Sequence, residues 1–127
     1  MTKEKITMID GNSAEKDIFK DLDRTFPNNT FFKQKRDLGQ RSLFNVLSLF
    51  SRYQKETGYV QGMGFISATF LNYMNEEDAF WMLVTIMEKY ELKSIYRPGF
   101  PELPRSFYKF MALLKKNYNR IYEIFVK

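Results

Sequence analysis

Apolar residues recur at steps of three and four along most of the chain, and no stretch keeps up the strict alternation of a half-buried strand. The pattern therefore predicts an all-α protein of about five or six helices. The first helix is expected to open at Asn12, with Glu15 three residues on in the spacing of a capping-box variant, and to bury Ile18, Phe19 and Leu22. It must stop before Pro27, because proline disfavours helical geometry at the residue ahead of it, and Pro27-Asn28-Asn29 is a turn signal. A second helix should run from about Gly39 to Lys55 with Leu43, Phe44, Leu47 and Phe50 as its buried stripe, closed by Thr57-Gly58. The third, Gly62 to Met74, carries Phe65, Ile66, Phe70 and Tyr73 as its apolar positions. Asn75 then offers a cap, with Glu76, Glu77 and Asp78 placed where negative charge meets the positive end of a helix dipole. The helix that follows, to about Tyr90, has Phe80, Leu83, Ile86 and Met87 as a core stripe widened by Trp81 and Met82.

Pro98, Gly99, Pro101 and Pro104 mark the stretch from Leu92 to Arg105 as one long ordered connection. A fifth helix is expected from about Ser106, with Phe107, Phe110, Met111 and Leu114 on its apolar face. The chain closes on Ile121, Tyr122, Ile124 and Phe125, an amphipathic ending that predicts something to pack against, so the sequence reads as the front part of a larger domain. Five of these expected core aromatics, Phe44, Phe50, Phe65, Phe70 and Phe80, stand at helical spacing and are assigned to packing.

Composition narrows the chemistry. The 127 residues contain no cysteine and no histidine, which removes thiol nucleophiles, disulfides, Cys/His zinc sites and imidazole bases. A net charge of +5 favours acidic partners without naming one. Lys33, Lys35 and Arg36 are the basic cluster to weigh for nucleic acid, but acids are interspersed along the chain and no nucleic-acid motif is present, so no such partner is expected. The longest apolar run, Phe80 to Met87, is too short for a transmembrane segment, and the first ten residues hold no signal-peptide core. A soluble, cytoplasmic protein is the expectation.

Two segments are candidates for chemistry. Asp17, Asp21 and Arg24 share one flank of the first helix, which by itself reads as a solvated face with local ion pairs. Tyr59-Val60-Gln61-Gly62-Met63-Gly64 lies at a junction between helices, where loops carry function and where glycines also simply permit turns. Together they are more specific. Ile18-Phe19-Lys20-Asp21-Leu22-Asp23-Arg24 followed by Thr25-Phe26-Pro27 matches an I-x-x-D-x-x-R signature with T-F-P after it, and Tyr59-Val60-Gln61-Gly62-Met63 matches Y-x-Q-G-M. In these two signatures and in their order and separation the chain resembles the TBC family. Gly39-Gln40, Val46-Leu47 leading into Phe50-Ser51, Gly58, Glu77-x-Ala79-Phe80-Trp81 and the proline-bearing loop agree as well, so the resemblance covers essentially everything from Ile18 onward. One departure is Gly64, where members commonly carry asparagine; it should weaken the third helix by about 1 kcal/mol.

The resemblance implies a GTPase-activating protein for a Rab-type small GTPase, active in vesicle trafficking and recruited to endomembrane surfaces through its partners. It implies that Arg24 is an arginine finger and Gln61 a glutamine finger, both supplied in trans. Asp21 would pair with Arg24 or a neighbouring backbone group, Tyr59 would pack to fix the loop bearing Gln61, and Gly62 would either let the backbone approach the partner or simply start a helix. The residue types suit the task. A permanently charged planar guanidinium neutralises charge developing on phosphate oxygens, and a carboxamide has an acceptor for the attacking water and donors for the phosphate. The chain needs no cofactor, because GTP and magnesium belong to the partner GTPase. On this reading residues 1–127 form a partial TBC domain, its N-terminal helical subdomain, without the second helical subdomain. The alternative is a non-catalytic helical module that binds a small GTPase or another protein of membrane traffic.

Overall fold

The computed structural model describes residues 13–35 and 37–127. Among them are six α-helices and no strand: α1 (Ser13–Leu22), α2 (Leu38–Tyr53), α3 (Met63–Leu71), α4 (Glu76–Glu88), α5 (Leu103–Asn117) and α6 (Asn119–Val126), with a single 3-10 turn at Leu92–Ser94. The all-α reading holds. The proposed cap at Asn12 lies outside the described residues. The chain divides into two compact units, Met1–Tyr90 and Glu91–Lys127.

In the first unit α2 is the central helix and packs against α1, α3 and α4, while α3 also packs against α1 and α4. The stripe read from the sequence of α2 is the core: Leu43, Phe44, Leu47 and Phe50 are buried, with Ile18 and Leu22 from α1 and Phe80, Leu83 and Met87 from α4. Asn75 caps α4 as expected, its side-chain oxygen accepting a 2.9 Å hydrogen bond from the Asp78 N–H. Glu15 is fully buried, and its carboxylate accepts hydrogen bonds from Ser48 at 2.9 Å and Arg52 at 2.5 Å, both on α2.

The third helix departs from expectation. Its buried residues are Met63, Gly64, Ser67, Ala68 and Leu71, whereas Phe65 is 47% exposed, and Tyr73, 84% exposed, lies past the helix end at Leu71. Nearly every residue of α3 is apolar or small, so periodicity cannot select a face. Proximity to three other helices selects the small one, because only small side chains let the backbones approach that closely. Phe32, in the connection between α1 and α2, is also buried although no periodic pattern contains it.

In the second unit α5 and α6 pack on each other. α5 begins at Leu103, three residues before the expected Ser106, because Pro104 falls in the first helical turn, where an N–H has no intrahelical partner to lose. None of its residues is buried, and Phe107 and Phe110 are exposed, so the expected stripe does not form a core. Two helices touching along one line cannot enclose a wide apolar face.

Candidate functional site

Arg24 sits just past the end of α1, in a turn built from local hydrogen bonds. The Arg24 and Thr25 N–H groups each reach a carbonyl three residues back, at 3.3 Å, which tightens the last turn of the helix. The Thr25 hydroxyl donates to the same Asp21 carbonyl that the Arg24 N–H reaches, at 2.8 Å, a second bond that ties the turn to the end of α1. Phe26, next in line and immediately ahead of Pro27, adopts φ 48°, a left-handed conformation unusual for a bulky residue. Its ring packs edge-on against Phe65 of α3 at 5.4 Å between centroids, so tertiary contact holds the strained turn in place. Arg24 therefore projects from a fixed backbone, and its side chain is 55% exposed.

Gln61 is displayed differently. Val60, Gln61, Gly62 and Met63 form a tight turn closed by a 3.1 Å bond from the Met63 N–H to the Val60 carbonyl. Gly62 has φ 101° and ψ −21°, near the geometry required at the third position of a type II turn and open only to glycine at low cost. A Cβ there would meet nothing within 4 Å. The glycine is thus required by its backbone angles and not by a close neighbour. It also begins α3, and it leaves Gln61 exposed at the corner of the turn.

The two segments are joined by one carboxylate. Asp21 is 6% exposed; one of its oxygens accepts from the Arg24 guanidinium and the other from the Tyr59 hydroxyl, both in short contacts. Burial, and after it the hydrogen bond to the Asp21 carboxylate, push the Tyr59 phenol far above its ordinary value, so it remains a donor at any physiological pH. Arg24, Gln61, Asp21 and Tyr59, with the Asp17–Lys20 ion pair at 3.2 Å, line a single open depression of about 330 Å³. Four of the five site residues expected from sequence thus surround one depression. Gly62 does not line it and shapes the adjoining turn. The lining charges balance as two acids against two bases, and an exposed planar cation beside an exposed amide suits an anionic group carrying water.

Sequence reasoning gave no role to three residues that support this arrangement. Thr25 ties the turn back to α1, Gly64 brings α3 within reach of Thr25, and Gln40 reaches the turn from α2. Gln40 and Thr25 stood among the positions of family agreement, but only their contacts reveal what they hold. Of the basic cluster weighed for nucleic acid, Lys35 is paired with Asp23 at 3.2 Å, and Arg36 lies outside the described residues. Among the described residues no helix is long and apolar enough to cross a membrane, and no cluster of acidic, histidine or cysteine side chains could hold a metal ion.

Residues 2–127 match the model of the family described as Rab-GTPase-TBC domain. The chain is 39% identical over 104 residues to the human ecotropic viral integration site 5 protein homolog, covering 82% of this chain and 13% of that protein. It is 40% identical over 102 residues to the Rab GTPase-activating protein tbc-11 of Caenorhabditis elegans, covering 80% of this chain and 11% of the relative. The Rab GTPase-activating protein eat-17 of the same organism is 39% identical over 111 residues, covering 87% and 12%. The chain therefore spans roughly an eighth of the length of these relatives.

Proposed function

From the chain's membership of the Rab-GTPase-TBC domain family, we propose that it accelerates GTP hydrolysis by a Rab-type small GTPase, with Arg24 as arginine finger and Gln61 as glutamine finger. The observation that carries this reading is the shared depression: an exposed guanidinium and an exposed carboxamide, from segments far apart in sequence, line one concave surface open to a partner. The partner brings GTP and magnesium. As the γ-phosphoryl group separates, the Arg24 guanidinium neutralises charge spreading over its oxygens. The Gln61 carbonyl accepts from the attacking water while its amide donates to the phosphate.

Asp21 prepares both groups. Its carboxylate holds the guanidinium ready and, through Tyr59, anchors the loop that carries Gln61, so a long flexible side chain loses less freedom on engagement. Such a site acts where the GTPase resides, at endomembrane surfaces reached through partners, without a membrane segment in the described residues.

Single-turnover hydrolysis by a panel of GTP-loaded Rab proteins, with and without the chain, tests the proposal. Arg24→Ala should lower the stimulated rate by on the order of a thousandfold or more, and Gln61→Ala should also abolish the stimulation, with circular dichroism unchanged. Binding of a Rab with no stimulation, or stimulation untouched by both substitutions, would refute the finger assignment. The first outcome would favour the non-catalytic interaction module.

A further inference from the structure

Gln40 is 3% exposed, and its carboxamide lies behind the turn that displays Arg24. Its amide nitrogen is 3.3 Å from an Asp23 carboxylate oxygen, 3.4 Å from the Phe32 carbonyl oxygen and 3.5 Å from the Leu22 carbonyl oxygen. Two amide hydrogens thus serve three acceptors, and all three belong to the chain on either side of Arg24. Leu22 is the last residue of α1, its carbonyl also accepting from the Thr25 N–H, Asp23 immediately precedes Arg24, and Phe32 lies on the far side of the connection. The other Asp23 oxygen is paired with Lys35 at 3.2 Å, a second link between the turn and the far side of the same connection. Alongside, the Gly39 backbone lies directly under the Phe31 carbonyl with no room for a side chain.

We propose that Gln40 is a positioning residue that holds the Arg24 turn against α2, so that the guanidinium is pre-set before the partner arrives. The inference rests on the reading of Arg24 as the finger. Asp21 restrains the guanidinium head, whereas Gln40 restrains the backbone from which the side chain springs, and the two act on opposite ends of one flexible lever. A buried amide is costly unless its donors are used, and here they are used on acceptors that flank Arg24 on both sides.

The test uses the whole chain with Gln40→Met, which keeps volume and removes the donors, and Asp23→Ala, an exposed position whose loss leaves the core intact. Hydrogen exchange of the amides in residues 22–33 should quicken at least about tenfold in Gln40→Met and to a smaller extent in Asp23→Ala, with α2 and α4 protection unchanged. Against a GTP-loaded Rab that the wild-type chain stimulates, the maximal stimulated rate should fall about tenfold to a hundredfold, with the half-saturating concentration little changed. Unchanged exchange over residues 22–33 in both variants, or an unchanged maximal rate in folded Gln40→Met, would overturn the proposal. A wild-type chain that stimulates no Rab removes the proposed function alone, and the exchange result then decides whether Gln40 holds the turn.

Discussion

A methyl group added at Gly39 would fall 2.0 Å from the Phe31 carbonyl oxygen and 2.8 Å from its carbon. Such contacts become ordinary only near 3.4 Å, so backbone must move by about 1.4 Å along that line, and neither partner is a side chain that can swing aside. The moving strand of chain is the connection that carries Phe32, whose ring is 1% exposed and whose carbonyl Gln40 reaches. Overpacking of a close backbone contact costs about 1–3 kcal/mol, and partial withdrawal of a buried phenylalanine adds about 2 kcal/mol, while alanine regains up to about 1 kcal/mol of helix propensity over glycine. A net loss of about 2–4 kcal/mol follows for Gly39→Ala. In a unit of this size that lowers the melting temperature by on the order of 10–20 °C. Gly64→Ala is the control. Its Cβ would meet the Thr25 hydroxyl oxygen at 3.0 Å, a small displacement of a side-chain atom, and the gain in helix propensity offsets much of the cost. Urea melts followed by circular dichroism should place Gly64→Ala within about 1 kcal/mol of wild type and Gly39→Ala well below it, with a similar slope against denaturant. Equal stability of the two variants would refute the idea that the type of atom met, backbone or side-chain hydroxyl, sets the cost.

Other substitutions probe the remaining supports. Glu15→Ala leaves Arg52 and Ser48 without their buried acceptor and should cost about 3 kcal/mol by urea melting, with Glu15→Gln losing less because its oxygen still accepts. Gly62→Ala meets no atom but forces a Cβ into a left-handed turn, which should cost about 1–2 kcal/mol and weaken stimulated hydrolysis more than Rab binding. Tyr59 has a folded-state pKa above the ordinary value of 10.0, so the unfolded chain loses this proton first as pH rises. The contribution of Tyr59 to stability is therefore fully present below about pH 10 and is lost as pH rises above it. Urea melts at about pH 8 and about pH 11 should show a smaller alkaline loss for Tyr59→Phe, whose contribution partial solvent exposure keeps modest, and an equal loss would show that this phenol does not set the slope.

Much of the fold was legible because α2 is amphipathic in the plain sense, one face apolar and the other largely polar, so the period names the buried residues Leu43, Leu47 and Phe50; on α4 it names Leu83 and Met87, although Trp81 and Met82 leave the outer face apolar as well. The same rule failed on α3, where Phe65 stands outside while Gly64, Ser67 and Ala68 are enclosed. There, apolarity runs around the helix and the choice of face is made by how closely three neighbours approach. Phe32 was invisible for a related reason, since a loop has no period from which burial can be read.

For the site, sequence alone determined the residue types and their order: a guanidinium and a carboxamide in two short signatures, with no imidazole or thiol to compete for the chemistry. Tertiary structure alone decided that these groups border one depression, that Asp21 joins them through Tyr59, and that Gln40 and Gly39 secure the turn from α2. The reason is range. A signature is written in covalent neighbours and local turn geometry, whereas the closeness of residue 24 to residue 61 depends on packed helices, whose separation is set by side chains that belong to neither segment.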